Sequence, residues 1–357
     1  MGLISFIKQF FSIESIKEKK TEENAEEKTE ENAEEITIEE NNESTEETLL
    51  WWEVAAVKNE EVKFEAASNS DLYDQLNRNL HESRLEIIEI PDNIAGILDI
   101  INRKNFQYPE ITNLVEQSPV LTGDFLSISN SAAFNRGVAI KNLKQALPRL
   151  GKQTIQSILF LNASKMIVPE SPIFQKVAEE IIMESQAVAK ICRMLGEVLY
   201  SDANEAFLVG LLHNVGKLGL LNQISKLYEI PKDMDAEYHQ SLFKNIFSVF
   251  YPQAGEIIGK YWKLDERVTH AIGFHLNLNS LIKKEVEEDE LKLAALVNLS
   301  SYIARIIGFG NSITEECNLF GQQASDILDF KDSPTNRRLL NKIHAAIMEA
   351  HLDTQTA

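Results

Sequence analysis

Strand patterning is almost absent from this chain, and so are paired cysteines, basic stripes and long apolar runs. The two cysteines, Cys192 and Cys317, stand far apart and share no metal-ligand spacing. That excludes a disulfide scaffold and a cysteine-built zinc site, and it fits a reduced, cytoplasmic protein. No apolar run is long enough to span a bilayer. No basic stripe is present to neutralise phosphates, so nucleic acid is not expected as a ligand. There is no Gly-x-Ser-x-Gly elbow and no Walker loop, which removes the commonest hydrolase and nucleotide-cradle signatures. The one alternating stretch, RLEIIEI before Pro91, is isolated and reads equally as extended chain or as a helix start.

The N-terminal MGLISFIKQFFSIESIKEKK lacks what a leader needs. Its apolar part is short, carries Lys8 and has no small-residue cleavage site behind it. A myristoylation signal fails because Phe6 stands where Ser or Thr is required. What residues 1–17 do have is an amphipathic spacing: Leu3, Ile4, Phe6, Ile7, Phe10, Phe11 and Ile13 fall near one face of a helix. Such a helix touches a membrane surface or a partner groove, or is simply a frayed apolar end.

Charge is abundant but uneven. The chain of 357 residues has a formal net charge of −20, and 14 Glu against 3 Lys between Glu18 and Thr48 supply more than half of it. Within that stretch KTEENAEE runs from Lys20 to Glu27 and repeats from Lys28 to Glu35. With almost nothing apolar to bury, residues 18–48 are expected to be a disordered acidic linker that self-repulsion extends. It reads as a tether or as a solubilising tail. The composition then turns sharply at LLWWEVAAV, Leu49–Val57, where two Trp must be buried, by preference on the main body. Residues 49–84 read as a helical lead-in.

From about Asp71 the period is helical nearly to the end. Pro91 and Asp92 open a helix that carries Ile94, Ile97, Leu98 and Ile101 on one face. Ser118-Pro119 breaks the next segment into two short helices. A Gly break splits IKNLKQALPRLGKQTIQSILF, and FQKVAEEIIMESQAVAKICRMLGEVL is one long amphipathic helix. A helix bearing LLHNVGK follows, then a connector at Pro231 and further helices. With 44% apolar residues the chain fills a real core. The expected class is an all-α domain of roughly ten helices. At the C-terminus SPTNRRLLNKIHAAIMEA has an N-cap candidate in Ser333 and a stripe of Leu339, Leu340, Ile343 and Ile347. It packs on the core or mediates dimer contacts.

The order of these segments resembles a known family. IPDNIAGILDII, then EQSPVLTGDFLSISNSAAFNRGVAIKNLKQALPRLGKQTIQSILF, then FLVGLLHNVGKLGLL and AIGFH, is similar to the HDOD domain of bacterial signalling proteins. That domain is a relative of the HD and HD-GYP metal-dependent phosphohydrolases. The resemblance runs over residues 85–308 and leaves 309–357 as a C-terminal helical extension. SISNSAAF followed by LKQALPRLG is its most specific part. It implies a multi-helix domain in which His and Asp side chains from several helices surround one or two divalent ions. The adjacent His-Asp pair would share one helix edge, and the metal would lower the pKa of an attacking water.

Position by position, the metal shell is depleted. Glu184 stands where the first His would fall, and the His-Asp pair is His213-Asn214. Tyr251 replaces a further His, His275 is retained, and Ser301 stands at the final Asp. Lys217 follows the family's Gly-Lys pair and is expected to meet an acid such as Glu205, or to snorkel. Asn214 is neutral, a weak ligand, and able to hydrogen-bond a neighbouring helix. His213 and His275 read as ligands or as satisfied core histidines, and His270 as a surface residue.

The expectation is a non-catalytic signalling or output module with no metal and no cofactor, which works by binding a protein or small ligand. Glu184, His213, Asn214, Lys217, Tyr251, His275 and Ser301 mark its degenerate site. The alternative is a divalent-metal phosphohydrolase acting on a nucleotide or cyclic dinucleotide, with a shell built from His213, His275 and Glu184. On fold analogy alone, the old pocket would bind a nucleotide without cleaving it.

Overall fold

A computed structural model describes residues 53–54, 70–82, 92–130, 139–165, 171–228, 236–310 and 317–356. The expected amphipathic helix at 1–17, the acidic linker at 18–48, the stretch RLEIIEI and Pro231 lie outside these residues. So do the Trp side chains of LLWWEVAAV.

Helices dominate. They are α1 (Ser70–His81), α2 (Asp92–Ile101), α3 (Tyr108–Glu116), α4 (Pro119–Ser129), α5 (Leu143–Lys165), α6 (Pro172–Leu199) and α7 (Ala203–Leu212). There follow α8 (Val215–Leu227), α9 (Ala236–Tyr261), α10 (Glu266–Phe274), α11 (Leu278–Lys283), α12 (Glu288–Ile307), α13 (Gln323–Ile327) and α14 (Pro334–Thr356). The helices exceed the ten expected because short pieces such as α11 and α13 break off between longer ones. Too short to show a full amphipathic period, they leave little trace in the sequence. Among the described residues no helix is long and apolar enough to cross a membrane.

Local chemistry sets the breaks. Ser118 caps α4, its Oγ accepting from the Leu121 amide at 3.3 Å with Pro119 at the first helical position. Asp202 caps α7 by accepting from the amides of Asn204 and Glu205 at 2.9 and 3.1 Å. Gly151 takes φ +76° and kinks α5 at the expected glycine break. Gly308, at φ +107°, closes α12 in the left-handed conformation.

Helices α2 to α5 pack on one another and reach the rest through α5 against α7. The remaining core is built on α6, which lies against α7, α8, α12 and α14. The apolar stripe of α14 behaves as read: Leu340, Ile343 and Ile347 are buried, Ser333 Oγ accepts from the Asn336 amide, and Lys190 Nζ of α6 donates to the Ala346 carbonyl at 2.7 Å. The C-terminal extension thus packs on the core. A two-residue antiparallel pair joins β1 (Glu53–Val54) to β2 (Cys317–Asn318).

Candidate functional site

The motif LLHNVGK does not lie on one helix. Helix α7 ends at Leu212 and α8 starts at Val215, so His213 is the C-cap of one and Asn214 the N-cap of the next. The expected shared helix edge is replaced by a sharp turn. Asn214 sits at φ −95°, ψ 8°, outside helical values, and its carbonyl takes the Lys217 amide in a tighter bond at 2.9 Å. The turn aims both side chains inward, and both are buried.

Gly216 explains the next letter of the motif. A Cβ there would stand 2.0 Å from the Tyr251 carbonyl oxygen and 2.6 Å from the Gly255 amide. Only glycine lets α8 cross α9 this closely. The crossing brings Tyr251 over the site.

Six of the seven sequence-derived positions then form one connected cluster. Glu184 on α6 is its hub: Asn214 Nδ2 and Lys217 Nζ both donate to Glu184 Oε2, each at 2.9 Å. Lys217 therefore pairs with Glu184, not with Glu205. Glu205 is taken at the other end of α7 by the Tyr200 hydroxyl at 2.8 Å and the Arg267 guanidinium at 3.0 Å. The Lys217 ammonium also stands 5.0 Å above the Tyr251 ring.

The imidazoles complete the cluster. His213 and His275 meet edge to face with centroids 5.5 Å apart. His213 Nδ1 faces the Gly210 carbonyl at 2.7 Å, and His275 Nδ1 faces those of Ala271 and Ile272 at 3.1 and 3.0 Å. A carbonyl only accepts, so Nδ1 carries the proton on both rings. His275 Nε2 then accepts from the Tyr251 hydroxyl at 3.0 Å. Burial pushes both imidazoles down to about 3, the Lys217 charge adding to the effect on each and the neighbouring His213 to that on His275. Burial and the Glu184 charge raise the Tyr251 phenol, which stays protonated.

Ser301 is the position that does not join. It is buried on α12, but its Oγ finds no partner among the described residues. His270 is also misplaced by the surface reading: it is largely buried and its Nδ1 meets the Glu290 carboxylate across α10 and α12. Helix α10 packs against α12, and His270 lies on that face. Sequence reasoning missed Asn298, whose Nδ2 donates to the His275 carbonyl at 2.7 Å, and Arg305, whose charge acts on both His213 and Tyr251. A signal was available. Asn298, Ser301 and Arg305 recur at i, i+3 and i+7 and so mark one polar face on an apolar helix. Gly310 was missed too: at φ +82° it presses its backbone against Glu184, and a Cβ there would lie 2.5 Å from Oε1.

The donor set does not suit a divalent ion. A two-metal phosphohydrolase centre needs several carboxylates and free imidazole nitrogens. Here the one carboxylate has Oε2 filled by two donors, one of them an ammonium, and His275 Nε2 is filled by a hydroxyl. Asn214 Oδ1 is buried with no partner among the described residues, but it is a neutral and weak ligand. Among the described residues no group of three or more His, Cys, Asp or Glu is arranged to hold a metal.

Comparison with known proteins places this helical core. The HDOD domain family model matches residues 87–278, more than half of the chain. The chain belongs to the HDOD family. Its fold matches the crystal structure of an HDOD domain protein of unknown function from Geobacter sulfurreducens. The TM-score is 0.55 at 17% identity, covering 79% of this chain and 99% of that one. A protein of Shewanella amazonensis SB2B described as a candidate phosphohydrolase gives a TM-score of 0.52 at 22% identity, over 77% of this chain and 96% of that one. An uncharacterized protein of Treponema pallidum (strain Nichols) is 24% identical over 200 residues, which is 54% of this chain. This chain spans 38% of that relative's length. The HDOD core here is related to metal-dependent phosphohydrolases in fold.

Proposed function

We propose that this HDOD chain is a non-catalytic signalling module that acts by binding a protein or a small ligand. The observation that carries the reading is the state of Glu184. Its Oε2 accepts from the Asn214 amide and the Lys217 ammonium, which fill the positions a bridging metal would need. An aspartate at 214 would add a second negative charge to draw a cation; an asparagine instead turns a donor toward the carboxylate. Within the cluster one carboxylate pairs with one ammonium, with two neutral imidazoles beside them.

A second reading has one observation in its favour. Two neutral imidazoles 5.5 Å apart are chemically able to ligate a metal, and with Glu184 they would form a reduced hydrolase shell. Elemental analysis of protein purified without chelator separates the two. The non-catalytic reading expects no stoichiometric Mn, Fe, Mg or Zn and a melting curve that chelator leaves unchanged. One or two tightly held equivalents, with nucleotide or cyclic dinucleotide hydrolysis lost in His213→Ala, would overturn it.

A further inference from the structure

A groove of about 460 Å³ opens beside Glu184 and Lys217, between α6, α9, α14 and the end of α12. That is a fair size for a small-molecule site, which typically spans roughly 300–1,000 Å³. Its walls are mainly apolar, with Ile181, Phe243, Phe247, Ile307, Phe309 and Met348, while the exposed Glu180 and Lys244 stand at its mouth. Its polar floor is the Glu184–Lys217 pair.

The floor is only half satisfied. Both hydrogen bonds to Glu184 end on Oε2, so Oε1 accepts none from the described residues. The glutamate is more than nine-tenths buried, and its carboxylate is held at the groove by the Gly310 backbone. Lys217, also lining the groove, has three N–H donors and spends one on Glu184. The floor thus offers an acceptor with no partner among the described residues beside a donor with N–H groups to spare.

Charge restricts what can answer it. A cationic ligand drawn to Oε1 would meet the Lys217 ammonium. An anionic ligand drawn to Lys217 would meet the Glu184 carboxylate. A neutral edge with N–H beside C=O satisfies both, the N–H donating to Oε1 and the carbonyl accepting from Lys217. The aromatic walls favour carrying that edge on a flat ring.

We propose that this groove binds a small planar lactam, a ring whose edge presents N–H next to C=O. The proposal deepens the non-catalytic reading and rests on it, because a metal on Glu184 would claim Oε1.

The test uses the full chain, metal-free, with 2-quinolinone as probe and N-methyl-2-quinolinone as its control. The chain has six methionines, of which Met183 and Met348 line the groove, so ¹³C-methyl-methionine NMR reports the site directly. The expected result is saturable shifts at Met183 and Met348 with a Kd on the order of 1 mM, the range of a fragment-sized ligand. The N-methyl control should bind at least about tenfold more weakly, since it has no N–H to give the carboxylate and sets a methyl group against it. Met348→Trp, on the half-buried face of α14, should fill the groove and remove the shifts. Equal affinity for the two probes, shifts confined to other methionines, or no binding by metal-free protein at millimolar probe would each overturn the lactam assignment alone. Stoichiometric metal displacing the probe would overturn the non-catalytic reading with it.

Discussion

Removing the Lys217 ammonium tests the centre of the site most directly. Lys217→Met keeps most of the side-chain length that lies beside Tyr251 and deletes only the charge. The Nζ–Oε2 separation of 2.9 Å gives a Coulomb attraction of about 6 kcal/mol at an effective dielectric of 20. Desolvation of two buried ions offsets most of that, so the pair's net contribution is small. Breaking it is another matter, because Glu184 would keep its burial and its charge with only the Asn214 amide to answer it. The expected loss is about 3–5 kcal/mol. Glu184→Gln should also cost about 2–4 kcal/mol, as it strands the ammonium among His213, His275 and Tyr251. The double variant should return to within about 1–2 kcal/mol of the parent, since neither buried charge is then left over. Urea unfolding followed by circular dichroism measures all four corners of the cycle. If Lys217→Met alone costs less than about 1 kcal/mol, or if the two losses simply add, the pair is not the keystone inferred here.

Acid should act through the imidazoles. His213 and His275 stay neutral in the fold, lowered to about 3 from an ordinary 6.5, so the unfolded chain binds more protons between those values. Their contribution is complete above about pH 6.5 and is lost as pH falls toward 3, by about 2 kcal/mol for each ring at pH 5. Urea midpoints measured from pH 7 to pH 5 should fall accordingly, and His213→Asn should flatten the profile; an unchanged profile in that variant sinks the assignment. Gly216→Ala should cost roughly 3 kcal/mol or more because its Cβ would meet backbone at 2.0 Å. Gly123→Ala, on an exposed face with nothing within 4 Å, should instead stabilise by about 0.5–1 kcal/mol, so equal thermal shifts in the two would contradict the close crossing of α8 and α9.

Much of the fold was legible because period and punctuation agreed. Ser118-Pro119, Gly151 and Ser333 mark boundaries by chemistry that acts within a few residues, and the structure uses each one. The long α6 and the stripe of α14 were legible because a single apolar face repeats over several turns. The turn inside LLHNVGK was hidden by the same logic. Every residue around it is apolar or helix-compatible, so nothing local announces a break. The break exists because α8 must cross α9 at Gly216, and that is set by a contact with Tyr251, more than thirty residues away.

The same distinction decides what could be read of the site. That Glu184, His213, Asn214, Tyr251 and His275 would gather was visible through resemblance, because a relative's motif preserves which positions face inward. How they would be satisfied was not. Lys217 was expected to seek Glu205, which is nearer in sequence, but Glu205 caps a different interface with Tyr200 and Arg267. Glu184 lies 33 residues upstream of Lys217 and one helix away. Once Asn214 replaces the carboxylate, Glu184 is the only buried acid in the cluster, and a buried acid without a partner is costly. A single ammonium at hydrogen-bond distance is enough to balance it; a divalent cation would leave an excess of positive charge in a dry interior with neutral imidazoles unable to offset it. On the non-catalytic reading proposed above, the one carboxylate of the cluster takes lysine in place of a metal. The motif's His, Gly and Lys keep structural work of their own: a carbonyl bonded, a helix crossing permitted and a carboxylate neutralised.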